Sequence, residues 1–177
     1  MRVEIMDDDG NLVPDGEVGE IVARGGLVGG GYFEMPEASA EASVHGWHHT
    51  GDVGRRDEHG FFYIVDRKKD MIVSGGFNVF SAEVEAAVTE LPEVRECAVI
   101  GVAHEKWGEA VTAIVVLNAG ASVSAADIIA HCKARLGGVK APKAVHFRDE
   151  IPRTPAGKFD KKLIRAEFWT GAERNVN

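Results

Sequence analysis

The stretch Asp66–Gly76, DRKKDMIVSGG, decides how the rest of the chain is read. A charged run, a short β-branched run and a glycine pair follow one another within eleven residues. That order describes a junction. A charged turn enters a buried strand at Met71-Ile72-Val73, and the strand ends in a loop whose glycines let backbone approach a ligand closely. Lys68 and Lys69 read as exposed, and a domain boundary is set here.

Before the junction the residues have β character. VEIM (3–6) leads to the turn cluster DDDGN, and EIVAR (20–24) is a second strand. The glycine-dense run 25–31 lacks the Gly-Lys-Ser/Thr that closes a phosphate loop, so its glycines read as strand ends and bends. Pro36 opens a short helix, PEASAEAS, with Glu37 in the first turn. Val53–Asp57 and Phe61–Val65 form a hairpin around Glu58-His59-Gly60. His45, His48 and His49 do not read as a metal site. On a strand His48 and His49 point to opposite faces, and no cysteine lies near. In Thr50-Gly51-Asp52, a carboxylate in a tight strand-end turn can accept from a vicinal diol, although taken alone the triplet reads as an ordinary turn.

After the junction, Ser81 is positioned to cap a helix carrying Val84, Ala87, Val88 and Leu91 at helical spacing, stopped by Pro92. Strands are expected over Val94–Ala103 and Ala110–Leu117, with the loop HEKWGE between them. Ser124 caps the next helix, with Asp127 three residues on, and Gly137-Gly138 ends it. A third strand follows at Ala144–Arg148. The loop PRTPAGK (152–158) precedes a last helix capped by Asp160. The order β-α-β-β-α-β-α implies an α+β domain with a sheet covered by helices. The boundaries are 1–65 for a β-rich subdomain, 66–70 for a hinge and 71–177 for the α+β domain.

Composition bounds the function. The net charge of −8 argues against a nucleic-acid binder. Residues 1–60 hold 13 acids and 4 bases, whereas 151–177 hold 3 acids and 6 bases. Cys97 and Cys132, the only cysteines, sit in apolar surroundings and read as core residues in a reducing, cytoplasmic setting. No apolar run approaches the ~18 residues needed to span a membrane.

Four stretches together resemble the C-terminal motifs of the AMP-forming acyl-CoA synthetases, a superfamily that includes peptide-synthetase adenylation domains and luciferases. They are GEIVARGGLVGGGYFEMPEAS (19–39), GWHHTGDVG (46–54), DRKKDMIVSGGFNVFSAEVE (66–85) and PRTPAGKFDKK (152–162). The tail IRAEFWTGAERNVN (164–177) is similar to those of bacterial fatty-acid–CoA ligases. The resemblance implies a β-subdomain that ends a large N-terminal domain, then a small mobile lid domain. It also implies ligation of a carboxylic, here fatty, acid to coenzyme A through an acyl-adenylate, with MgATP consumed.

Residue by residue, the resemblance makes Lys158 the catalytic lysine. It gives Asp52 and Arg67 to the ribose and phosphate, and places Ile64 near the adenine. From its position in FFYIV, Ile64 reads first as a strand-core residue, ahead of an adenine contact. Lys69 is the hinge. Ser74, Gly75 and Gly76 line the path of the pantetheine arm, and Lys140 meets phosphates of coenzyme A. Trp107 either stacks near the nucleotide of coenzyme A or plugs its own loop. Val139 and Ala141 depart from the aromatic and basic residues that many relatives carry beside Lys140. No residue is assigned to a metal. The phosphate loop, the magnesium-binding motif and the acyl pocket have no counterpart in the sequence, so the chain is expected to be a piece of a longer ligase and inactive by itself. The end of a peptide-synthetase adenylation domain and a non-catalytic binding remnant stay open beside it.

Overall fold

The computed structural model describes residues 1–169. It divides into two units, the first Met1–Lys69 and the second from Asp70 onward. The expected tail motif therefore lies partly outside the described residues, since 170–177 are not among them.

The first unit is a four-stranded antiparallel sheet in the order β1-β2-β3-β4. Its strands are β1 (Arg2–Met6), β2 (Val18–Arg24), β3 (His48–Arg56) and β4 (Phe62–Arg67), and helix α1 (Pro36–Glu41) lies between β2 and β3. Two of its turns use the same chemistry. The Asp7 carboxylate accepts the amides of Asp9 and Asn11 at 3.0 and 2.8 Å, and that of Asp57 accepts the amides of His59 and Phe61, both at 2.9 Å. Each turn closes on a glycine at φ +85°, Gly10 or Gly60. A left-handed residue there needs no Cβ, which is why an Asp-x-x-Gly pattern recurs. Met6, Val22 and Trp47 form this unit's buried apolar cluster.

Strand β4 corrects one expectation. Phe61, Phe62, Tyr63 and Ile64 are all exposed, Ile64 at 69%. The strand-core reading of Ile64 is wrong. An aromatic, β-branched run signals a strand, but not which of its faces is covered. Asp66 and Arg67 remain in β4, paired with Val53 and Asp52. Lys68–Asp70 form a single 3-10 turn.

The second unit holds β5 (Ile72–Ser74), β6 (Phe77–Val79), α2 (Ser81–Thr89), β7 (Val94–His104), β8 (Gly108–Leu117), α3 (Ala125–Lys140), β9 (Ala144–Phe147) and α4 (Lys161–Phe168). The sheet order is β6-β5-β8-β7, with β9 parallel to β8. Strands β7 and β8 are buried on both faces, which explains their nearly continuous apolar runs. Cys97, Val99, Val111, Ala113 and Val115 pack with Val84 and Val88 of α2 and Ile128 and Cys132 of α3. The alternate residues Ala98, Ile100, Ile114 and Val116 pack with Ile164 of α4 and Ile151. The sheet thus has helices on both sides, and the chain is α+β.

Four local readings change. The loop expected after Val73 is a two-residue hairpin turn, with Gly75 at φ +60° and Gly76 at φ +82° leading into β6. Two successive positive φ values match the twist of the flanking strands, and glycine supplies them without strain. Ser81 does not cap α2. Phe80 occupies that position, and Ser81 starts the helix with its hydroxyl accepting from Lys161 Nζ at 2.7 Å. The loop between β7 and β8 is shorter than expected, since β7 continues to His104 and β8 starts at Gly108. Two caps are as read: Ser124 Oγ accepts the Asp127 amide at 3.1 Å, and Asp160 accepts that of Leu163 at 3.0 Å. Gly137 does not end α3; at φ +80° it kinks the helix, which runs on to Lys140.

Candidate functional site

In the first unit the candidate nucleotide residues are adjacent across β3 and β4. Asp52 and Arg67 are register partners, and Arg67 Nε is ion-paired with Asp52 Oδ1 at 2.7 Å. Asp52 is partly covered and Arg67 about half exposed. The pair presents a carboxylate oxygen and the rest of a guanidinium side by side, donors and acceptor in one patch. The turn before Asp52 is held firmly. Thr50 Oγ1 donates to the Ile21 carbonyl at 2.7 Å and accepts the Asp52 amide at 3.1 Å. Gly51, at φ +73°, donates its amide to Glu20 Oε1 at 3.0 Å. Ile64 is exposed on the same strand as Arg67.

Glu20 was not singled out from the sequence. Its side chain is only 6% exposed, and its second oxygen meets His49 Nδ1 at 2.9 Å and Lys68 Nζ at 3.1 Å. Burial opposes its ionisation, but the bonds from His49, Lys68 and Gly51 outweigh that and hold the carboxyl below its usual range. Lys68 also meets Asp8 at 2.9 Å. Burial pulls its ammonium down, and the two carboxylates more than reverse this, so its pKa is raised. Lys68 is therefore a held residue, against the expectation that it is exposed. Lys69 is exposed. Asp70 opens the second unit, and Arg165 Nη1 donates to it at 3.0 Å, both side chains being largely buried.

In the second unit, Gly75 and Gly76 are exposed, whereas Ser74 is fully buried and its hydroxyl has no hydrogen-bond partner among the described residues. The Gly75 amide donates to the Trp107 carbonyl at 2.8 Å. A Cβ on Gly75 would sit 3.0 Å from the Trp107 ring. The indole is flanked by Lys106 Nζ at 5.0 Å and Lys143 Nζ at 5.2 Å from the ring centroid, within cation–π range. Lys143 further donates to the carbonyls of Gly138, Val139 and Ala141 at 2.7–2.9 Å, and burial, then Lys133, draws its pKa down. Lys140 is ion-paired with Glu83 at 2.8 Å, so a phosphate there would have to compete with a carboxylate.

Lys158 stands on a stiffened turn. The Thr154 amide donates to the Lys158 carbonyl and the Gly157 amide to the Thr154 carbonyl, both at 2.8 Å. Gly157 lies at φ +80°. Arg153 donates to the Gly157 carbonyl at 2.7 Å and to Glu96 at 2.9 Å while covering the Phe159 ring at 4.5 Å. The backbone is fixed, whereas the Lys158 side chain is exposed and forms no ion pair among the described residues. Below it, Lys161 Nζ meets Glu85 Oε1 at 2.7 Å, and that oxygen also accepts the Val99 amide at 2.8 Å. Sequence spacing gives no signal for this pair, because its partners are far apart along the chain.

Residues 83–158 match the family model described as AMP-binding enzyme C-terminal domain. The chain is 50% identical over 182 aligned positions to a medium/long-chain-fatty-acid–CoA ligase, FadD8, of Mycobacterium tuberculosis, covering 99% of this chain and 32% of the relative. It is 45% identical to a feruloyl-CoA synthase of an Amycolatopsis species, covering 94% of this chain and 34% of that one. The ATP-bound crystal structure of MatB from Rhodopseudomonas palustris superposes with a TM-score of 0.88 at 37% identity, over 94% of this chain and 34% of that one. The chain spans about a third of the length of the relatives it matches. The matched span runs from Glu83, the partner of Lys140, to Lys158. Among the described residues no helix is long and apolar enough to cross a membrane.

Proposed function

We propose that this chain supplies the hinge and the lid domain of an AMP-forming acyl-CoA ligase acting on a fatty acid. The overall reaction joins a carboxylate to ATP, releasing pyrophosphate, and then passes the acyl group of the adenylate to the thiol of coenzyme A, releasing AMP. The carrying observation is Lys158, a cation without an ion pair among the described residues, on a turn braced by two backbone hydrogen bonds and by Arg153. A fixed point charge stabilises the negative charge that develops between the attacking carboxylate and the α-phosphate, without moving a proton. Asp52 is suited to accept from ribose hydroxyls while Arg67 steadies it and directs its remaining donors outward. Lys69 is the pivot that exchanges lid orientations between the two half-reactions. The exposed Gly75-Gly76 turn and the Trp107 ring are the side offered to coenzyme A. ATP and magnesium would be held mainly by residues outside this chain. Boundaries at 1–65, 66–70 and 71–177 belong to the same reading, as does a cytoplasmic location.

The test joins this chain to the large domain of the M. tuberculosis relative. The joined protein should release pyrophosphate and form acyl-CoA with fatty acids, and the 177-residue chain alone should catalyse no carboxylate-dependent ATP–pyrophosphate exchange. Lys69→Pro should spare adenylation and slow thioester formation by at least about tenfold, because a pivot locked in φ switches poorly. Exchange activity in the chain alone, or thioester formation untouched by Lys69→Pro, would contradict the reading.

A further inference from the structure

Glu20 joins two features that the sequence motifs treat separately. The ladder between β2 and β3 shifts register between Glu20, opposite Val53, and Val22, opposite His49. Residues 50–52 are therefore left out of the regular pairing with β2, and the Glu20 carboxylate takes up the Gly51 amide in place of a strand carbonyl. Its other oxygen receives His49 Nδ1 and Lys68 Nζ. One buried carboxylate thus meets the amide next to Asp52 and the ammonium next to Lys69. The three partners lie 29, 31 and 48 residues away in sequence. Groups sharing one buried acceptor polarise one another, so loss of one partner alters the hold on the others.

We infer that Glu20 is a positioning residue that couples the Thr50-Gly51-Asp52 turn to Lys68. The turn carrying the nucleotide carboxylate and the residue entering the pivot then move as one body. The consequence for catalysis rests on the roles proposed above for Asp52 and Lys69; the coupling itself does not. Asp8, the second partner of Lys68, is exposed and touches neither Gly51 nor His49 among the described contacts, so it serves as the internal comparison.

The experiment is amide hydrogen exchange by NMR on the 177-residue chain without nucleotide, comparing Lys68→Met, Asp8→Asn and Glu20→Gln. Lys68→Met should speed exchange at the Gly51 amide about tenfold, though Lys68 does not touch it, and leave β7 and β8 unchanged. Asp8→Asn should leave Gly51 within about twofold of the unmodified chain. Glu20→Gln should speed Gly51 exchange and also make the bond after Lys68 more open to trypsin, since its amide nitrogen would face the lysine donor to donor. Gly51 exchange unmoved by Lys68→Met overturns the coupling. So does a uniform loss of protection across β1 to β4, which would mark the network as a general stabiliser. A negative result leaves the role of Lys158 standing, and failure of Lys158 leaves the coupling standing.

Discussion

The two units solve the problem of holding a functional turn in different ways. The second buries two apolar layers on either side of β7 and β8 and sets Gly75-Gly76 and Lys158 on turns at the edge of that core. The first has a small apolar cluster of Met6, Val22 and Trp47 and positions Asp52 through a polar hub at Glu20. Apolar packing is nondirectional and summed over many contacts. A hub of charged hydrogen bonds is directional, and it fails when one member is removed. The difference says where each unit is vulnerable.

The largest expected effect is in the second unit's core. Ile114→Ala should cost about 2–5 kcal/mol in urea unfolding, with the protection of first-unit amides retained. Equal loss in both units would break the comparison. Next comes the Lys161–Glu85 pair. Lys161→Ala leaves a carboxylate that still accepts the Val99 amide, yet has lost its nearest cation. The expected cost is about 2–3 kcal/mol, below that of a fully buried pair because both side chains keep some exposure. A cost near zero would leave α4 held by its other contacts, Ile164 in the core and the Arg165–Asp70 pair.

Gly75→Ala sharpens the comparison at a turn. A left-handed backbone and a Cβ 3.0 Å from Trp107 should together cost about 1–2 kcal/mol and disturb indole fluorescence. An unchanged spectrum would detach Trp107 from the glycine turn.

The smallest effect concerns pH and the first unit. The Glu20 carboxyl is held below its ordinary 4.5, so its hydrogen bonds add stability above that value. The contribution is lost as pH falls through the lower folded-state pKa. Glu20→Gln should flatten this acid limb of the urea midpoint for first-unit probes, and an unaltered limb would assign the pH dependence to other carboxylates.

The sequence was most legible where a signal is local. The long runs of β7 and β8, the Ser124–Asp127 cap, the Asp160 cap and the kink at Gly137 are each contained within a few residues. Strand β6 escaped because Phe77–Val79 is three residues long, although Gly75-Gly76 beside a β-branched run is a hairpin signal. Ile64 was misread as core because a strand pattern gives no account of which face another layer covers. Ser81 was misread as a cap because Phe80 takes the extended position one residue earlier. The charged hubs were invisible for a single reason. Glu20 finds Lys68 at 48 residues and Lys161 finds Ser81 at 80, so neither contact exists until the units fold. Family motifs marked Asp52, Arg67 and Lys158, while the residues that steady the first of these had to be read from the structure.

Lys158 is proposed to serve adenylation and not thioester formation. This is tested by Lys158→Ala in this chain joined to a ligase large domain, with the two half-reactions measured separately. Acyl-adenylate formation should fall by at least about a hundredfold, or ~2.7 kcal/mol of transition-state stabilisation. Transfer of the acyl group from supplied acyl-adenylate to coenzyme A should stay within a few-fold of the parent. Equal loss of both half-reactions, or adenylation left intact, would contradict it.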